Sequence, residues 1–116
     1  PTERGLRPGA GSIVAALEAT TGVVPLSIGK PARFLLEEAA RSTGTPIDQA
    51  VVIGDGLVTD IAAARAIGAR SILMLTGVTS AAAAAALAPG ERPTAVAADA
   101  HELATALESM AAAAAA

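Results

Sequence analysis

The chain has 116 residues, enough for one domain with a core; 53% are hydrophobic and 16% charged, which argues against wholesale disorder. A net charge of −3 and a single aromatic, Phe34, leave neither a basic stripe nor a stacking platform for nucleic acid. The absence of cysteine excludes a disulfide framework and a thiolate metal site. No uninterrupted apolar stretch is long enough to span a bilayer, and no membrane partner is expected.

Residues 1–9, rich in Pro, Gly and Arg, read as a loop. Ser12 to Thr21 reads as a helix stopped by Gly22. Val23 to Ile28 is expected as a short strand, weakened by Pro25. Gly29-Lys30 then turns into a second helix with Pro31 in its first position, running to Thr43 and closed by Gly44. Phe34, Leu35 and Ala39 are its expected apolar stripe. Ala50 to Ile53 is a strand with the continuous apolar character of a parallel strand covered on both faces. Thr59 to Ile67 is a helix closed by Gly68, and Ser71 to Leu75 a further apolar strand. Thr79 or Ser80 caps a helix through Leu87, with its alanines supplying helix propensity. Thr94 to Ala98 is a weak strand, and Asp99-Ala100-His101-Glu102 a capping box that opens the last helix. Alternation of short apolar strands with helices predicts an α/β fold, a Rossmann-like three-layer α/β/α arrangement with a parallel sheet and right-handed crossovers.

Ligands of open α/β sheets bind beyond the carboxyl ends of the strands. Lys30 follows the first expected strand there. Asp55 follows the second by two residues, and Asp60 lies five positions further, in the first turn of the next helix. Hard oxygen ligands without His or Cys nearby favour Mg²⁺, and a Lys beside an Asp pair suits a phosphoryl group held with that ion. Taken one at a time these residues have ordinary explanations: dipole compensation for Asp60 and turn formation for Asp55. Their order at successive strand ends favours the site. Gly9-x-Gly11 only superficially suggests a dinucleotide loop, since no strand precedes it. His101 is read as a capping or surface residue, Arg33 and Arg65 as solvated.

The stretches Ile28-Gly29-Lys30-Pro31, Val51-Val52-Ile53-Gly54-Asp55 with Thr59-Asp60-Ile61, and Leu75-Thr76-Gly77-Val78-Thr79-Ser80 together resemble the C-terminal half of the haloacid-dehalogenase-like (HAD) phosphatases. The branch is the NagD-like one, which includes 4-nitrophenyl, phosphoglycolate and glycerol-3-phosphate phosphatases. The resemblance spans roughly residues 6 to 107. It implies a partial HAD core over 23–110 and the end of an inserted cap over 1–22 with most of the cap missing; residues 111–116 read by composition as a poly-Ala tail. It further implies a Mg²⁺-dependent phosphomonoesterase that forms an aspartyl phosphate. Lys30 would be the motif III lysine, catalytic and phosphate-binding. Asp55 would be the catalytic metal ligand, and Asp60 a second acid holding the metal directly or through water. Gly54, Gly56 and Thr59 would shape the loop.

The family's N-terminal D-x-D nucleophile has no match: Asp48, Asp55, Asp60 and Asp99 are each followed two positions later by something other than Asp. The expected partners are thus a small phosphorylated metabolite and the N-terminal half of the same protein, with no initiator Met at Pro1 and the chain read as a fragment. The 116 residues alone are expected to be inactive and prone to homo-oligomerisation, and the intact protein to be cytoplasmic. A non-catalytic α/β binding or assembly module derived from such an enzyme is the alternative. A phospho-receiver domain would order its acids and Lys the other way round.

Overall fold

Three parallel strands form the sheet of the computed structural model, which describes residues 3, 5 and 7–115. The elements are α1 (Ala10–Thr21), α2 (Phe34–Thr43), β1 (Val51–Gly54), α3 (Ala62–Ile67), β2 (Arg70–Met74), α4 (Ala81–Ala85), β3 (Ala95–Ala97) and α5 (Ala100–Ala115). A π-helical turn, Leu57–Ile61, leads directly into α3. The strands lie in chain order, β1-β2-β3, with Ile53 opposite Ile72 and Ile72 opposite Ala95.

Side-chain alternation along the strands separates two layers of packing. Ile72, Met74, Ala95 and Ala97 share one face, which α5 covers with Leu103, Ala106, Leu107 and Met110. Those α5 positions recur at the spacing of one helical face. Ser71 and Leu73 alternate to the other face. There α3 contacts β2, and its Ala63 and Ala64 are fully buried. Alanine at both positions lets the helix backbone approach the sheet closely. The expected α/β/α layering therefore holds.

Several elements differ from expectation for identifiable reasons. Val23 to Ile28 is not a strand: a strand needs a neighbour, and the sheet among the described residues begins at β1. Its apolar side chains stand in solvent, Leu26 at 88% exposure. The helix expected from Pro31 starts at Phe34 instead, because residues 29–33 form a turn and bend before it. The stripe of Phe34, Leu35 and Ala39 is exposed; Leu36 and Ala40 are the partly buried apolar positions of α2. The apolar β1 is only partly covered, with Ile53 45% exposed, since β1 has a strand on one side only. The helix expected over Thr59–Ile67 divides into the π turn and α3. Ser80, not Thr79, is the N-cap of α4, its hydroxyl accepting from the Ala83 N–H at 3.2 Å, and the helix ends at Ala85. The alanines from 111 to 115 lie within α5. The loop expected over 1–9 falls partly on residues 1, 2, 4 and 6, and the tail reaches residue 116, all outside the described residues.

Candidate metal and phosphate site

The site grows from the carboxyl end of β1. The strand ends at Gly54, the chain passes Asp55 and Gly56, and the π turn begins. Its wider winding is recorded in two bonds to one acceptor: the N–H groups of Asp60 and Ile61 both donate to the Gly56 carbonyl, at 2.9 and 3.1 Å. π turns inside helices recur at functional sites because they redirect a side chain without ending the helix. Here the redirected side chain is Asp60, whose carboxyl group folds back over Gly54. A Cβ on Gly54 would collide with that carboxyl, so only glycine fits where strand and acid meet.

Asp60 is buried, its side chain 8% exposed, and its oxygens are engaged. Oδ1 accepts from Lys30 Nζ at 2.5 Å. Oδ2 accepts from the Gly56 N–H at 3.0 Å and from the Thr59 hydroxyl at 3.4 Å. Burial opposes ionisation of Asp60, but the Lys30 ammonium, the Gly56 amide and Thr59 together outweigh it and hold its pKa below the ordinary 3.8. A depressed folded-state pKa means that this group stabilises the fold above the ordinary carboxylate value and loses that contribution as pH falls through the lowered one. Thermal melts followed by circular dichroism should therefore find wild type more stable than Asp60→Asn at neutral pH, with the gap closing as pH falls through the lowered value. A gap that does not change with pH would remove Asp60 from the acid response.

Lys30 is the exposed partner, its side chain 48% accessible. An ammonium has three N–H donors, and Asp60 takes one, which leaves two for an outside acceptor. The lysine and Asp60 border a groove of about 460 Å³ between α2 and β1, lined otherwise mainly by apolar side chains such as Leu36, Val52 and Ile67.

Asp55 takes a different direction. Its Oδ2 accepts from the Val78 N–H at 3.0 Å, in the loop after β2, and its main-chain carbonyl accepts from the Thr79 hydroxyl at 2.5 Å. Its other carboxylate oxygen has no protein donor among the described residues. The structure thus brings Lys30 and Asp60 together, with Gly54, Gly56 and Thr59 around them. Asp55, between Gly54 and Gly56 in the chain, is held instead by the loop after β2. No three His, Cys, Asp or Glu side chains cluster to hold a metal among the described residues. One free carboxylate oxygen does fit Mg²⁺, which keeps several waters and takes one or two carboxylates plus a phosphate, rather than a cation that needs an all-protein cage.

The remaining polar candidates have structural employment. Gly9 precedes α1 as its N-cap. Arg33 pairs with Glu37 at 2.7 Å on the surface. Arg65 donates to the Gly90 carbonyl at 3.4 Å. The N–H groups of His101 and Glu102 donate to Asp99 Oδ1, and Glu102 accepts from the Ala98 N–H, which completes the capping arrangement. Sequence reasoning missed the role of Gly77, Val78 and Thr79 around Asp55. The available signal was a glycine and a hydroxyl residue just beyond the end of an apolar strand.

The HAD-hydrolase-like family model matches residues 27–103, and the chain belongs to that family. A D-glycerol 3-phosphate phosphatase of Mycobacterium tuberculosis is 48% identical over 103 residues, covering 89% of this chain and 29% of the relative. A crystal structure of glycerol phosphate phosphatase from the same organism, in complex with magnesium, has a TM-score of 0.76 at 48% identity, covering 89% of this chain and 31% of that one. A p-nitrophenyl phosphatase from Archaeoglobus fulgidus has a TM-score of 0.80 at 34% identity, covering 91% of this chain and 42% of that one. These neighbours define the 4-nitrophenyl phosphatase and glycerol phosphate phosphatase branch, to which NagD of Escherichia coli is also similar. The chain spans 29% and 31% of the length of the first curated relatives it matches. No helix among the described residues is long and apolar enough to cross a membrane.

Proposed function

We propose that the chain is the C-terminal portion of a Mg²⁺-dependent phosphohydrolase that acts on a small phosphomonoester through an aspartyl phosphate, with the nucleophilic Asp on residues outside this sequence. The observation that carries the reading is the half-exposed Lys30 braced on buried Asp60, at the end of the strand that delivers Asp55. In this reading residues 1–22 are the end of the cap and residues from 23 onward are core.

Each residue then has a separable task. Asp55 presents a carboxylate oxygen to the cation. When bound, that Mg²⁺ would supply charge neutralisation at the phosphoryl oxygens. Lys30 offers its two remaining N–H donors to the same oxygens, at a point fixed by Asp60. Asp60 acts through Lys30: its oxygens are already occupied by Lys30, Gly56 and Thr59, which favours a positioning role over direct ligation. Gly54 and Gly56 keep the turn tight enough for this contact, and Thr59 braces it. The relatives' names supply the candidate substrate class, small phosphate monoesters such as glycerol phosphate.

The test compares the intact protein with the 116-residue chain, using 4-nitrophenyl phosphate with and without Mg²⁺. The expected result is Mg²⁺-dependent hydrolysis by the intact protein and none by the chain alone. Hydrolysis by the chain alone would refute an external nucleophile, and an inactive intact protein would favour the non-catalytic binding module. The absence of D-x-D from the sequence is what keeps that module as the second reading.

A further inference from the structure

Two glycines stand against two carboxylates in this site, and only one pairing belongs to the turn after β1. Gly54 makes room for Asp60; Gly77, across the loop that follows β2, makes room for Asp55. A Cβ on Gly77 would collide with the Asp55 carboxylate, so the loop backbone lies directly against the acid. The next two residues add polar contacts. The Val78 N–H donates to Asp55 Oδ2 at 3.0 Å, and the Thr79 hydroxyl donates to the Asp55 main-chain carbonyl at 2.5 Å. Thr79 is 7% exposed, although the Val78 side chain before it stands 73% exposed in solvent. A threonine turned inward beside an exposed valine, with its hydroxyl on a neighbouring strand's loop, ties two strand ends together. Ser80 immediately takes over the capping of α4, so Thr79 is free of that duty.

We propose that Gly77, Val78 and Thr79 form the positioning device for Asp55, which fixes both its backbone and one carboxylate oxygen so that the other is presented to a divalent cation. The inference rests on the proposed metal role of Asp55 and deepens it. The loop acts on Asp55 from two directions. The amide fixes the rotation of the carboxylate, and the hydroxyl fixes the peptide that carries it. Both contacts come from the loop after β2, whereas the acid follows β1. Small displacements between β1 and β2 would therefore reach the cation through this loop.

The test uses Mn²⁺ alone as a spectroscopic probe, with free Mn²⁺ followed by electron paramagnetic resonance during titration of the intact protein. Circular dichroism at the same temperature gives the folded fraction of each variant. Thr79→Val, which keeps the shape and removes the donor, should weaken Mn²⁺ binding per folded molecule by about tenfold, the lower end of what lost outer-sphere partners cost. Thr79→Ser retains the donor and should stay close to wild type. Gly77→Ala should weaken binding at least as much as Thr79→Val, and Asp55→Asn should remove it. Wild-type affinity in folded Thr79→Val or Gly77→Ala, with Asp55→Asn deficient, would overturn the positioning role and leave the metal role of Asp55 standing. Loss of binding in folded Thr79→Ser would also overturn it, because the hydroxyl would then not be the operative group. No difference between wild type and Asp55→Asn would overturn both readings together.

Discussion

Asp55→Asn in the intact protein should lower the proposed Mg²⁺-dependent turnover of 4-nitrophenyl phosphate by roughly 10³ or more, equivalent to several kcal/mol of charge stabilisation. The change is nearly isosteric, so the contacts that place the residue can persist: the amide oxygen can still accept from the Val78 N–H, and the main-chain bond from Thr79 is untouched. What disappears is the negative charge. Because Asp55 belongs to no wider acidic cluster among the described residues, no neighbouring acid on this chain takes over. Phosphate release, measured across a Mg²⁺ titration, separates a weaker site from a dead one. Recovery at high Mg²⁺ would mean that Asp55 contributes affinity alone, and wild-type rates throughout would take it out of the site.

Lys30→Ala should cost roughly 10²–10³ in kcat, the scale of losing one preorganised electrostatic donor. Two effects combine in this variant. The ammonium that would meet phosphoryl oxygens is gone, and the buried Asp60 carboxylate loses the partner that does most to lower its pKa. Lys30→Arg should recover only part of the loss, since a planar guanidinium does not reproduce a compact ammonium at one point between two acceptors. Asp60→Asn distinguishes the contributions. It leaves the cation at position 30 but removes the anchor, so a positioning role predicts a smaller loss than Lys30→Ala. A full rate in Lys30→Ala under saturating substrate would exclude the lysine from the chemical step.

The layered architecture was legible in the sequence because its strongest signals are local. Apolar runs at 51–53 and 71–75, glycines after helical patterns, and the Asp99–Glu102 capping arrangement all turned out to shape the chain where expected. Elements that depend on a distant neighbour were less legible. Val23 to Ile28 carries a strand's composition but finds no strand beside it. Phe34 and Leu35 suggest a buried stripe, yet which side of α2 turns toward α3 and the groove beside β1 is decided by tertiary contact, and that side bears Leu36, Ala39 and Ala40. The site divides in the same way. Lys30, Asp55 and Asp60 could be named from their order at strand ends. The pairing of Lys30 with Asp60 and the turning of Asp55 toward Val78 depend on the π turn and on the β1–β2 register, neither of which has a distinctive sequence mark.

The strand order has a kinetic corollary. Neighbours in the sheet are neighbours in the chain, but both pairings among the described residues are parallel, so each waits on a crossover, from Val51 to Arg70 and from Ile72 to Ala95, whose closure entropy is lost before the ladder forms. Among the described residues the sheet ends at β1, where four residues keep one row of amides and carbonyls without a neighbouring strand. That row is a template for one more strand, and whichever polypeptide reaches it first, the remainder of a longer chain or another molecule of the same kind, decides between completion and aggregation.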